Sequence, residues 1–122
     1  MNEADRECFR RVEKTVRLSR YGGDCYAYCM LAAGHIDLVI ETELKPYDII
    51  PLIPIVAGAG GIATSWDGGP AALGGRIVVS GDARVHEATL TTGAIAVLAG
   101  GLDRPYPPQN LALHEELCAQ GV

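Results

Sequence analysis

The first rhythm along this chain is helical: from Asn2 to about Lys14, apolar residues recur among charged ones at the spacing of an amphipathic helix. Val16 to Ser19 then alternates apolar with polar residues, which predicts a short strand, and Gly22-Gly23 breaks the chain. Asp24 to about Ala33 predicts a helix with Asp24 near its N-cap and Gly34 at its end. A buried strand rich in β-branched residues follows over Asp37 to Glu41, then a loop over Thr42 to Pro46. Tyr47 to about Ala57 is almost continuously apolar and predicts a helix buried on most sides. Two prolines complicate it. An interior proline loses a backbone hydrogen bond and costs roughly 3 kcal/mol, less near a helix start, so Pro51 and Pro54 predict a kink or a loosened first turn.

Gly61 to Ser65 and Arg76 to Ser80 predict paired strands joined by the loop Trp66 to Gly75, whose Asp-Gly-Gly-Pro start is turn chemistry. Asp82 can cap a helix from Ala83 to about Ala99. Helices alternating with strands predict an α/β fold, a layered mixed sheet flanked by helices. The expected organisation is one domain over residues 1–99 and an appended tail over 100–122. That tail holds Pro105-Tyr106-Pro107-Pro108 and a short helix-like run from Leu111 to Ala119.

Composition narrows the partners. The 122 residues, 48% of them hydrophobic, suffice for one small domain. A net charge of −5 with sparse basic residues argues against a nucleic-acid partner. Arg6, Arg10, Arg11, Lys14, Arg17 and Arg20 are interleaved with Glu3, Asp5, Glu7 and Glu13, which marks a solvated helix face rather than an anion-binding patch. Cys8, Cys25, Cys29 and Cys118 form no CxxC pair and follow no secretory signal, so a reducing, cytoplasmic setting is expected, with Cys25 and Cys29 as neighbouring small core residues. The longest apolar candidate for a membrane span, Ile49 to Ala63, is interrupted by prolines and glycines, so no membrane association is expected.

Among residues that carry chemistry, Asp48 comes first. It falls in the first turn of a helix opened by Pro46, where unpaired N–H groups favour an acid, and it can bind a metal or merely cap. Glu41 ends a strand seven residues earlier, where it can reach the same sheet edge as Asp48 or stand exposed. Gly22 and Gly23 let backbone approach a ligand closely and Asp24 opens a helix, although a plain turn and N-cap would use the same residues. His35, His86 and His114 read as solvated or helix-end residues, and Ser19, Ser65 and Ser80 lack the setting of a nucleophile elbow.

Four segments in order resemble the C-terminal half of the inositol monophosphatase family, most closely its histidinol-phosphate phosphatase branch. They are Tyr21-Gly22-Gly23-Asp24-Cys25-Tyr26-Ala27-Tyr28, Gly34-His35-Ile36-Asp37-Leu38-Val39-Ile40-Glu41, Lys45-Pro46-Tyr47-Asp48 leading to Gly58-Ala59-Gly60-Gly61, and Ser65-Trp66-Asp67-Gly68. The resemblance implies the inositol monophosphatase-like fold and Mg²⁺-dependent hydrolysis of a small phosphomonoester, histidinol phosphate or inositol phosphate. It further implies that Asp48 binds metal and that Glu41, Asp24, Gly23 and Gly22 face the substrate. Asp24 stands where inositol-type members carry a small residue, and an Asp24–Glu41 pair suits the amine and alcohol of histidinol phosphate better than a neutral ring. Ala57 stands where the branch often has glutamate.

Family members also carry an upstream glutamate and an Asp-Pro-Ile/Leu-Asp-Gly-Thr segment for metal and phosphate, and neither occurs in these 122 residues. The chain is therefore expected to be a C-terminal portion with no complete catalytic set and little or no phosphatase activity by itself. The alternative is a non-catalytic interaction module that pairs with a second copy or with a separate N-terminal half.

Overall fold

The computed structural model describes residues 1–94. Helix α1 (Glu3–Glu13) starts where Asn2 Oδ1 accepts the Asp5 N–H at 2.8 Å, and it buries Asp5, Cys8 and Val12. The strand expected over Val16 to Ser19 does not form. No neighbouring strand pairs with it, and local bonds hold the segment instead: Thr15 Oγ1 donates to the Val12 carbonyl, and the Ser19 and Tyr21 hydroxyls both donate to Glu13. Helix α2 (Cys25–Ala32) follows the glycine break, but it faces solvent more than expected: Cys25 and Cys29 are exposed free thiols, not core residues.

Strand β1 (Leu38–Leu44) runs beyond the expected end at Glu41. The extension contains a register shift between Glu41 and Leu44, with Glu43 at φ 62°. The helix expected over Tyr47 to Ala57 is split into α3 (Pro46–Ile49) and α4 (Ile53–Gly58). Pro51 and Pro54 have no N–H to donate one turn back, so the ladder stops and restarts with Pro54 in the first turn of α4, where a proline is tolerated. Nor are these helices buried on most sides. Ile49, Leu52 and Val56 form one buried stripe, while Tyr47, Ile50 and Ile55 are exposed.

Strands β2 (Ile62–Ser65) and β3 (Gly75–Ser80) form the expected hairpin, closed by a turn at Trp66–Gly69 and a 3₁₀ turn at Ala71–Leu73. Asp82 caps α5 (Ala83–Thr89) by accepting the Arg84 N–H at 2.7 Å. The chain then widens into a π turn at Leu90–Ala94. The rest of the helix expected to Ala99, and the tail over 100–122 with Cys118 and His114, lie outside the described residues.

The sheet order is β1-β3-β2 with both pairings antiparallel, so β1 and β2 run parallel to each other on either side of β3. The expected α/β layering is present, and every strand pairing among the described residues is antiparallel. Alternation along the strands makes two different faces. Val39, Ile77 and Val79 point into a core with Tyr28 and Leu31 of α2, Ile49 of α3 and Val56 of α4. Val78, with Leu38 and Ile40, points the other way against Cys8 of α1, Trp66 and Leu90.

This second face carries buried polar groups that are paired internally. Trp66 Nε1 donates to the Ile77 carbonyl at 3.1 Å, and Asp5 meets Arg76 at 3.4 Å. His86 is buried between two hydroxyls rather than solvated, with Nε2 at 2.7 Å from Thr64 Oγ1 and Nδ1 at 3.1 Å from Ser80 Oγ. Thr64 spends its only hydroxyl proton on the Ser65 carbonyl, which assigns the histidine proton to Nε2 and makes Nδ1 the acceptor from Ser80. Burial holds the His86 pKa below its ordinary value, in keeping with a neutral ring.

Candidate functional site

The residues singled out from the sequence gather on the α2–α4 side of the sheet. Gly22, Gly23 and Asp24 take consecutive positive φ values of 83°, 94° and 52°, which glycine accepts freely, whereas Asp24, at ψ −136°, lies outside the left-handed helical region that aspartate tolerates. Asp24 occupies the N-cap position of α2 without capping it, since its side chain makes no bond to the helix N–H groups. Its carboxylate is exposed. The capping role available to Asp24 is therefore not the one the structure uses.

Glu41 lies within β1, on the same face as Val39, at the last regular pair with Ile77 before the register shifts. It is half-buried, not an exposed strand end. The hydroxyl of Tyr28, whose ring sits in the core at 2% exposure, donates to Glu41 Oε2. Burial is the main cause that pushes the Tyr28 pKa far up, followed by the bond to Glu41 and by the charges of Glu41, Asp24 and Asp48. Of these acids, Glu41 is the one bonded to the phenol. Sequence reasoning named all three acids and missed the tyrosine bonded to Glu41; an aromatic residue four positions after a candidate acid was the available signal.

Asp48 caps. Its Oδ2 accepts the Lys45 N–H at 2.8 Å across the first turn of α3, which is half of a capping box, because the Lys45 side chain has no acceptor to return the bond. Oδ1 makes no hydrogen bond among the described residues, so the cap leaves one carboxylate oxygen for a ligand. The approach of β1 to α3 is set by Gly74 (φ 73°), where a Cβ would stand 2.5 Å from the Leu44 carbonyl oxygen and 3.1 Å from Pro46 N. That contact, not apparent in the sequence, holds the Lys45–Asp48 segment against the hairpin.

Among the described residues, no three His, Cys, Asp or Glu side chains come together as a group that could hold a metal ion. Asp48 fits one corner of a Mg²⁺ site. The residues described here do not fit a whole one, since a two-metal centre needs several carboxylates to place its ions. Nor is any described helix long and apolar enough to cross a membrane.

Comparison with known proteins places this geometry. The inositol monophosphatase family profile matches residues 2–98, beginning at α1 and so upstream of the segments that carry the resemblance. The bifunctional phosphatase IMPL2, chloroplastic, of Arabidopsis thaliana is 40% identical over 98 residues, covering 73% of this chain and 28% of that protein. A histidinol-phosphatase of Mycobacterium tuberculosis is 35% identical over 86 residues, covering 70% of this chain and 33% of that protein. The solved structure of an inositol monophosphatase from Zymomonas mobilis superposes with a TM-score of 0.72 at 37% identity, over 75% of this chain and 37% of the other. The chain spans about a third of the length of the relatives it matches. With a family profile matched over residues 2–98 and an α/β fold shared with a solved member, the chain belongs to the inositol monophosphatase family.

Proposed function

We propose that this chain forms the substrate-side portion of a Mg²⁺-dependent phosphomonoesterase of the histidinol-phosphate type, acting in histidine biosynthesis. The observation that supports this best is the Glu41 carboxylate held by the Tyr28 hydroxyl on the side of the sheet that also carries Asp24 and Asp48. Three acids on one side of the sheet favour a cationic ligand and gain less from a neutral ring. In this reading Asp24 and Glu41 accept hydrogen bonds from the ammonium and hydroxyl of the substrate. Gly22 and Gly23 bring the backbone close to it, and Asp48 contributes one carboxylate to the metal. The remaining metal ligands come from groups outside those described here, so the 122-residue chain alone turns over little or no substrate. The free thiols of Cys8, Cys25 and Cys29 suit a reducing, cytoplasmic compartment.

NMR titration of the purified chain with L-histidinol and with myo-inositol tests the substrate class. Histidinol is expected to shift the amide signals of residues 22–24 and 41 at lower concentration than inositol, and the opposite preference would overturn the assignment. Phosphate release from histidinol phosphate with added Mg²⁺ is expected to stay near background, and robust turnover would show that the ligand set is complete on this chain.

A second reading, an interaction module that associates with another copy or a separate N-terminal portion, is supported by the exposure of Tyr47 and Leu73, 75% and 79%, on the packed pair of α3 and the 3₁₀ turn. Light scattering decides its self-associating form, for which a monodisperse monomer counts against it.

A further inference from the structure

Building on the substrate reading above, we infer that Tyr28 is a positioning residue, which holds the Glu41 carboxylate in one orientation and thereby presents its second oxygen to the amine or hydroxyl of the ligand. Tyr28 leaves the first turn of α2, close to Asp24, and its ring packs in the same core as Val39 of β1 and Ile49, the neighbour of Asp48. One side chain therefore shares a core with the supports of Glu41 and Asp48 and a helix start with Asp24. Its hydroxyl, taken out of water with the ring, needs an acceptor and takes Glu41 Oε2. The remaining oxygen, Oε1, makes no hydrogen bond among the described residues. A glutamate on a strand has several rotamers, and fixing one of its oxygens selects among them before the ligand arrives, which lowers the ordering cost of binding.

The alternative is that the bond merely satisfies a buried hydroxyl and does nothing for the ligand. A double-mutant cycle separates the two. L-histidinol is titrated into the purified 122-residue chain and followed by amide NMR, in wild type, Tyr28→Phe, Glu41→Gln and the double variant. Tyr28→Phe keeps the ring in the core and is expected to weaken binding about 3- to 10-fold, the worth of one hydrogen bond. In the Glu41→Gln background the same change is expected to have no further effect. A Leu31→Val variant, which loosens the same core away from Glu41, is expected to bind as wild type does.

Equal affinity of wild type and Tyr28→Phe would overturn the inference, as would additive effects in the cycle or an equal loss in Leu31→Val. No saturable shift in wild type would overturn the substrate reading and this inference together. Glu41→Ala, at a half-buried position outside the core cluster, provides a check that does not depend on Tyr28→Phe folding: the Tyr28 Cζ resonance is expected to move, and an unchanged resonance would overturn the contact itself.

Discussion

The two faces of the sheet treat polar groups in opposite ways. Beneath α1 and α5, His86, Ser80 and the Trp66 indole are buried and Thr64 is half-buried, all bonded to one another or to backbone, and among the described residues no buried side-chain polar atom lacks a partner. Beside α2 to α4, the acids Asp24 and Asp48 are exposed and Glu41 half-exposed, and each retains acceptor capacity beyond the bonds it makes. The same strand, β3, serves both, turning Val78 and Ser80 one way and Ile77 and Val79 the other. A buried polar group that is fully paired specifies structure, whereas an exposed or half-exposed acid with an unspent oxygen is open to a ligand. Substitutions on the first face are therefore expected to cost stability, and those on the second to cost ligand binding.

The sharpest way to break this comparison is Trp66→Ala. It empties the buried indole site between Cys8 and Val78 and removes the bond to the Ile77 carbonyl, so about 3–5 kcal/mol of stability is expected to be lost in urea denaturation. A loss below 1 kcal/mol would mean that this face is not a core. Gly74→Ala comes next. Its methyl would meet the Leu44 carbonyl oxygen at 2.5 Å in a backbone conformation that L residues avoid, for an expected cost of about 1–3 kcal/mol. Because the clash falls on the Leu44–Pro46 link, the amide signals of 45–49 are expected to shift more than those of α5. A uniform response would show that the two faces are not mechanically separate.

How much of this was legible in the sequence depended on whether the signal was local. The hairpin over β2 and β3 was readable because Asp67-Gly68-Gly69-Pro70 is turn chemistry in itself, and α1 because its apolar stripe is periodic. The acids Asp24, Glu41 and Asp48 were found by their neighbours in the chain. Contacts between distant segments were not found. Tyr28 meets Glu41 thirteen positions away, and His86, read as a solvated or helix-end residue, lies in the last turn of α5 but is buried where it meets Thr64 twenty-two positions away. Apolar content also misled over Tyr47 to Ala57, because a proline-split pair of short helices can bury only one stripe. The strand expected at Val16 to Ser19 had the right alternation but no partner to pair with, and alternation alone cannot supply one.

Protonation of His86 separates the faces by pH. Burial lowers the folded-state pKa of His86 beneath its ordinary 6.5, so the unfolded chain binds the proton more readily. Stability is expected to be level above about pH 7 and to fall as pH drops below 6.5, with a slope of at most about 1.4 kcal/mol per pH unit for one proton. Denaturation midpoints between pH 7.5 and 5.5 measure it. His86→Gln is expected to be less stable throughout but to lose that slope, while histidinol binding at pH 7.5 stays at the wild-type value. A binding defect in that variant would connect the two faces.

The smallest expected change in stability falls on Asp48, and it decides what that residue is for. As a cap, Asp48 contributes about 0.3–1 kcal/mol through one bond to the Lys45 N–H and its charge at a helix start. Asparagine can make the same bond with its amide oxygen, so Asp48→Asn is expected to leave the denaturation midpoint almost unchanged, whereas Asp48→Ala loses the cap. Metal binding follows a different order, because a hard divalent cation needs the negative charge and an amide oxygen is a poor substitute. With Mn²⁺ as a paramagnetic stand-in for Mg²⁺, amide signals of residues 45–49 are expected to broaden in wild type and not in Asp48→Asn. If both variants broaden like wild type, Asp48 only caps. If Asp48→Asn unfolds α3 as Asp48→Ala does, the charge at the helix start matters more than the bond, and the division between a paired face and an unspent one fails at the residue where it was expected to hold best.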